Sequence, residues 1–226
     1  MRRESNRRSH PDRTSNLAQA MRRVNPASEI PRCPVCGVHP HLCFCSGFPT
    51  FATRTRFVFL QHSQETLKPT NSARLACRIL SSASIAPWVR TAPPPFPPNT
   101  VLLYPSADAT PLVPEELAAS ALVVIPDGTW SQASRIASVL GKGSILRRTL
   151  PLGNSSAWTV RQSDDPERIS SAQAAAMVLQ LAGETTPADC LIEAVAESGR
   201  RILSMRGITE RLPKIAHGRS SEVLPS

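Results

Sequence analysis

The 226-residue sequence predicts an α/β fold, a mostly parallel sheet flanked by helices, with a small four-cysteine knuckle near its N-terminus. Three observations predict it. Short apolar runs alternate with helical patterns along most of the chain, the rhythm of β-α-β units. Residues 121–130, ALVVIPDGTW, lead a buried apolar run into Asp127-Gly128-Thr129-Trp130 and then directly into a helical pattern. Such a strand end is where open α/β sheets place their ligands. Finally, Cys33, Cys36, Cys43 and Cys45 follow the spacing C-x2-C-x6-C-x-C, which suits a tetrahedral ion.

Taken in order, residues 55–61 (TRFVFLQ) predict a strand. Residues 71–80 predict a helix burying Leu75, Ala76, Ile79 and Leu80. Residues 84–89 predict a second strand. Residues 92–98 (APPPFPP) are excluded from regular structure because five of the seven are proline. Residues 101–104 predict another strand and 114–120 a turn or short helix. The run 121–125 suits a strand covered on both faces. Gly128 lets the chain turn closely, and Thr129 can cap the helix at 131–140 by accepting a backbone N–H. Trp130, Ala133, Ile136, Ala137 and Leu140 would share one helical face. Strands at 144–150 and 157–161 and helices at 170–181 and 187–203 complete the pattern, with Ser170 and Gln173 at capping-box spacing.

The predicted organisation is a basic arm (1–30), a knuckle (31–50), an α/β domain (51–203) and a polar tail (204–226). Hydrophobic residues make up 41% of the chain, enough for a core, and aromatics only 4%, so Ala, Leu, Val and Ile should fill it. The net charge of +9 is uneven, with eight arginines against three acids in residues 1–32. An arm of that composition has too few large apolar residues to fold alone and attracts polyanions. It is also Arg- and Ser-rich and acid-poor, the composition of an organellar transit peptide. No run reaches transmembrane length and no secretory signal is evident, so the expectation is a cytoplasmic protein without a membrane partner. Without export, six cysteines read as metal ligands and free thiols rather than a disulfide framework.

Four cysteines close a coordination shell, so the knuckle reads as structural zinc, with an iron–sulfur cluster as its competitor. His39 and His41 lie between the pairs and could replace a ligand, face solvent or contact phosphate. Cys77 and Cys190 read as small buried side chains. The run 60–75 crowds His62, Glu65, Lys68, Asn71 and Arg74 between one strand and one helix. At the carboxyl end of a strand, those groups could bind an amino acid's carboxylate and amine, or phosphates. Asp127 is either a turn carboxylate or an acid/base group.

Four stretches, in order, resemble the DTW-domain proteins, tRNA-uridine aminocarboxypropyltransferases. They are the cysteine set; Leu60-Gln61-His62-x2-Glu65-x2-Lys68-x-Thr70-Asn71-x2-Arg74-Leu75; Leu102-Leu103-Tyr104-Pro105-Ser106; and Asp127-Gly128-Thr129-Trp130. The resemblance runs from about Arg32 to about Gly183. It implies a SPOUT-like fold, possibly knotted, with S-adenosylmethionine as substrate and tRNA as partner. The reaction implied is transfer of the 3-amino-3-carboxypropyl group to N3 of a uridine, forming acp3U and releasing methylthioadenosine. It implies that Asp127, Thr129 and Trp130 serve catalysis. Leu60, Gln61, His62, Glu65, Lys68, Asn71, Arg74, Tyr104, Pro105, Ser106 and Arg161 would then hold S-adenosylmethionine. Where the family often has Ser-Thr-x-Glu, this chain has Ser170-Ser171-Ala172-Gln173, and Gln keeps the capping interaction without the charge.

In that reaction Asp127 would take the N3 proton or only orient the uracil, and Trp130 would face the uridine, face the adenine or pack in the core. One rival is a SPOUT-like RNA methyltransferase or an rRNA aminocarboxypropyltransferase on the same scaffold. A second is a non-catalytic zinc-knuckle RNA-binding protein, which explains the cysteines and the basic arm but not Asp127–Trp130 or the run 61–74.

Overall fold

The computed structural model describes residues 31–66, 68–119, 122–143, 145–150 and 169–207. The strands are β1 (Phe57–Gln61), β2 (Ala83–Pro87), β3 (Thr100–Leu103), β4 (Thr110–Pro111), β5 (Leu122–Asp127) and β6 (Leu146–Thr149). The helices are α1 (Ala73–Ile79), α2 (Pro114–Ala119), α3 (Trp130–Leu140), α4 (Ser171–Leu181) and α5 (Thr185–Met205). One six-stranded sheet runs β2-β1-β5-β3-β6-β4, and every strand pairing in it is parallel. The sequence predicted this α/β architecture; the two-residue β4 was too short to leave a period-two pattern.

The central strands β1, β3 and β5 are apolar almost throughout because helices cover both faces. Their side chains alternate with period two. Phe57, Phe59, Val101, Val123 and Ile125 point to the face packed by α1, α4 and α5, in a core that also includes Leu75, Ile79, Leu179 and Leu191. Leu60, Leu102 and Val124 point the other way, onto Ile136 and Ala137 of α3. Ala133, Ile136 and Ala137 are the buried residues of α3, while Trp130 and Leu140 are half-buried. All four apolar positions expected on the buried side of α1 and its C-cap are buried.

β5 continues two residues beyond the predicted end at Ile125. The sequence-based boundary fell before Pro126, which has no N–H to donate to a ladder. The odd residues of β5 bond towards β1, with Val123 N–H donating to Arg56 and Asp127 C=O accepting from His62. The even residues therefore face β3, whose pairing ends at Leu102–Val124, so Pro126 removes no ladder bond. α3 begins one residue earlier than predicted, at Trp130, with Thr129 as its cap. The predicted strand 157–161 and the tail beyond residue 207 lie outside the described residues. Among the described residues, no helix is long and apolar enough to cross a membrane.

Candidate functional site

β1 and β5 are neighbours and end level, with Gln61 opposite Asp127. After β1 the chain passes to α1 on one face of the sheet, whereas after β5 it passes to α3 on the other. Adjacent parallel strands whose connections diverge in this way open a crevice at their carboxyl ends. The predicted Asp127-Gly128-Thr129-Trp130 turn and the polar run 61–74 both meet there.

Asp127 shares the parity of Val123 and Ile125, so its side chain turns to the α1/α4 side, where it is only 4% exposed. Its Oδ2 accepts from Gln61 Nε2 at 3.0 Å and from Asn71 Nδ2 at 2.6 Å, and its Oδ1 accepts from Ser171 Oγ at 2.7 Å. Three of the roughly four acceptor directions of a carboxylate are thus taken by protein donors. The donors are themselves fixed. Gln61 Oε1 accepts from the Thr66 hydroxyl at 3.2 Å, and Asn71 Oδ1 accepts from Arg74 N–H at 3.3 Å. One carboxylate ties together β1, β5, the start of α1 and the first turn of α4.

Ser171 was not among the predicted site residues, although it stands in the Ser-Ser-Ala-Gln stretch. Beside it, Ser170 and Gln173 form the predicted capping box, so glutamine does keep the capping role at this helix start. A second capping box joins Thr129 and Gln132, and Gln132 Nε2 donates onward to Gln64 Oε1 at 2.7 Å. A side chain at Gly128 would meet Gln132 Cβ at 2.9 Å, which is why the turn needs glycine.

The other predicted residues divide by location. Glu65 is buried at 1% exposure, and Lys68 Nζ pairs with its Oε1 at 2.5 Å. Arg74 donates to the carbonyls of Lys68 and Pro34 at 2.5 and 3.3 Å, with its Nε buried and unpartnered. Burial lowers the Arg74 guanidinium from its usual value, against the opposing pull of Cys33, Cys36 and Asp127. Leu60 is wholly buried under α3. Tyr104, Pro105 and Ser106 lie on the α3 side, lining a cleft of about 190 Å³ with Ser138 and Arg147. The Tyr104 and Trp130 rings stand 6.0 Å apart at a 46° tilt. Arg161 lies outside the described residues. The predicted set is therefore two groups on opposite faces of the sheet: Gln61, Asn71 and Asp127 inside, and Tyr104–Ser106 with Trp130 against α3.

A larger cleft of about 650 Å³ borders α3 and the end of β1, with His62 in its wall. His62 holds its position through its backbone N–H, which donates to Asp127 C=O at 2.9 Å.

The four knuckle cysteines converge. Their Sγ atoms all lie within 4.8 Å of one another, with Cys33–Cys45 and Cys36–Cys43 both 3.8 Å apart. Thiolates about 2.3 Å from a tetrahedral ion stand about 3.8 Å apart, so the set fits such an ion. Burial alone would raise the Cys33 thiol, but hydrogen bonding from the Cys36 and Val35 backbone and from Cys36 and Cys43 brings it down to about 7. His39 and His41 stack on each other at 5.9 Å and stand outside the cysteine set. Cys36, Val38 and Phe44 pack in the same core as α1. Burial, with the charge of Asp127, pushes the Cys77 thiol up to about 12, so it behaves as a small apolar side chain.

A solved structure similar to this chain is that of the SAM-dependent rRNA:acp-transferase Tsr3 from Vulcanisaeta distributa. The two are 22% identical, with a TM-score of 0.49 over 69% of this chain and 82% of that one. The family model of the DTW domain matches residues 30–203, a span that takes in the cysteine set, the run 61–74 and the Asp127–Trp130 turn. By that match over well more than half of its length, the chain belongs to the DTW-domain family.

Proposed function

We propose that this protein transfers the 3-amino-3-carboxypropyl group of S-adenosylmethionine to N3 of a uridine in tRNA. The observation that carries the reading is the gathering of the family's motif residues at one carboxyl edge, where β1 and β5 diverge. In the reaction, the N3 nitrogen gives up its proton and attacks the methionine carbon bonded to the sulfonium sulfur. That carbon–sulfur bond breaks, and the electron pair leaves with methylthioadenosine. Sulfonium is already a good leaving group, so the protein's task is to align the nucleophile with that carbon and exclude water.

In this reading S-adenosylmethionine lies on the α3 side, with Tyr104, Pro105 and Ser106 against it and Trp130 close by. In the same reading Thr129 and Trp130, at the start of α3, touch substrate. Asp127 is a positioning residue: its carboxylate is enclosed by protein donors, so it holds the turn and the 61–74 run in register. Zinc in the four-cysteine set would be structural, because four thiolates leave no open coordination position.

The test is purified protein incubated with S-adenosylmethionine and tRNA, and separately with rRNA, followed by digestion and nucleoside mass spectrometry. Aminocarboxypropylation adds about 101 mass units to uridine, whereas methylation adds about 14. The expected product is the heavier nucleoside from tRNA. The heavier nucleoside from rRNA alone would refute the tRNA assignment, and the lighter one would refute the transferred group. Binding of RNA with no product would favour a non-catalytic knuckle protein.

A further inference from the structure

The 650 Å³ cleft beside α3 has a composition that the transfer of a cationic cofactor's side chain does not explain. Arg90, Arg135 and Lys142 line it, together with His62, Trp88 and Val139, and no carboxylate is among the described residues of its wall. All three cationic residues are exposed, and none joins an ion pair among the described residues. By contrast, Arg147, Arg148, Arg200, Arg201 and Lys68 are all neutralised by an acid. Three exposed cations without an acid partner among the described residues thus line one cleft.

The cleft is built by regular structure. Gln132, Arg135, Val139 and Lys142 follow one another at helical spacing along α3 and just past its end, opposite the buried stripe Ala133, Ile136 and Ala137. Trp88 follows β2 directly, and its N–H donates to Gln61 C=O at 2.8 Å. Its half-buried ring packs partly on the small core beneath α3 and contributes the rest to the cleft wall.

Three cations with no acid among the described lining residues exceed what S-adenosylmethionine can match, since it offers one carboxylate and a sulfonium they would repel. They suit a phosphate backbone. A half-buried indole among them suits a base lying flat on it, the pairing of stacking platform and basic groove used on single strands. We infer that this cleft binds the single-stranded RNA segment flanking the target nucleotide, a base stacking on Trp88 and phosphates meeting Arg90, Arg135 and Lys142. The cleft leads to that target through His62, whose backbone is bonded to Asp127. The inference rests on the proposal that the substrate is RNA, and it adds where the strand runs.

The test uses the full-length chain and a fluorescent oligouridine of about ten nucleotides, with anisotropy measured across a salt series. The triple variant Arg90→Ala, Arg135→Ala, Lys142→Ala changes only exposed side chains. It should bind at least tenfold more weakly at low salt. Its log–log salt slope should be shallower by about 2, as expected for three lost single-strand phosphate contacts at roughly 0.7 each. Trp88→Leu should weaken binding by roughly fivefold to a hundredfold, with Trp88→Phe in between and the salt slope unchanged in both. S-adenosylmethionine affinity, read by calorimetry, should be the same in wild type and the triple variant. Wild-type affinity and slope in the triple variant would overturn the inference and leave the proposed transfer intact. Loss of S-adenosylmethionine binding in it would assign the cleft to that substrate instead. Oligouridine binding that depends on these residues, with no modified nucleoside from any RNA, would uphold the cleft and refute the transfer. A wild-type protein that binds no RNA would refute both.

Discussion

Replacing Asp127 by Asn separates the roles open to this carboxylate. Gln61 and Asn71 both present amide donors to Oδ2, so the oxygen of the new side chain must stay there. The new nitrogen then faces Ser171 Oγ, and that hydroxyl can turn to accept. Geometry survives, but three charge-assisted hydrogen bonds become neutral ones. Each should lose about 1 kcal/mol, for a total of about 2–3 kcal/mol. Asp127→Ala instead strands two buried amide donors and the half-buried Ser171 hydroxyl, at about 1–3 kcal/mol each, a sum that approaches a domain's whole stability of about 5–15 kcal/mol. Urea unfolding followed by circular dichroism should therefore find the Asn variant folded with a lowered midpoint and the Ala variant barely folded. Turnover of the Asn variant, measured by nucleoside mass spectrometry, should fall less than hundredfold, and its pH profile should run parallel to that of wild type. A wild-type unfolding midpoint in both variants would refute the tie. A loss beyond about hundredfold in a folded Asn variant, with an altered pH profile, would make Asp127 the base that takes the N3 proton.

Two further outcomes test other parts of the molecule. Cys36→Ser removes one of four thiolates, so bound metal and thermal midpoint should fall together. Elemental analysis should find one zinc per wild-type chain, and iron with sulfide would overturn that assignment. Deleting residues 1–30, which takes away seven arginines and three acids, should weaken tRNA binding mainly at low salt and leave S-adenosylmethionine binding unchanged. An unaltered salt dependence after truncation would refute an electrostatic role for this segment.

What the sequence could disclose follows the range of each interaction. The strand–turn–helix at 121–130, the cap at Thr129 and the capping box of Ser170 and Gln173 are local, and each was legible from residues a few positions apart. The cysteine set was legible because thirteen residues contain all four ligands. The contact of Ser171 with Asp127 spans 44 positions and depends on α4 arriving over the end of β5, which no periodicity encodes. The same holds for the basic cleft. The stripe Gln132, Arg135, Val139 and Lys142 could be read as one polar face of a helix, but Trp88 and Arg90 join it only because β2 pairs with β1 and the chain leaving β2 reaches the face that α3 covers. Pro126 shows the converse, a local rule that shortened a strand because the position of its missing N–H depends on where β3 stops.

The alternation of side chains at the end of β5 also explains why the site has an inside and an outside. Asp127 points to the α1/α4 side, while the clefts open on the α3 side, so under the proposed function the carboxylate would act on bound substrate through the backbone between them. The knuckle joins the same construction from the inner side. Gly37 has a φ of +73°, and a side chain there would stand 2.5 Å from the Pro69 carbonyl, so the knuckle backs directly onto the loop that carries Asn71. Arg74 clamps that contact by holding the carbonyls of Pro34 and Lys68 at once. Movement of the knuckle would therefore reach Asp127 through Lys68, whose carbonyl accepts the Asn71 N–H at 3.1 Å, and then through the Asn71 amide. On this geometry the four cysteines, although on the far side of the sheet from the clefts, help to set the positions of Asn71 and Asp127.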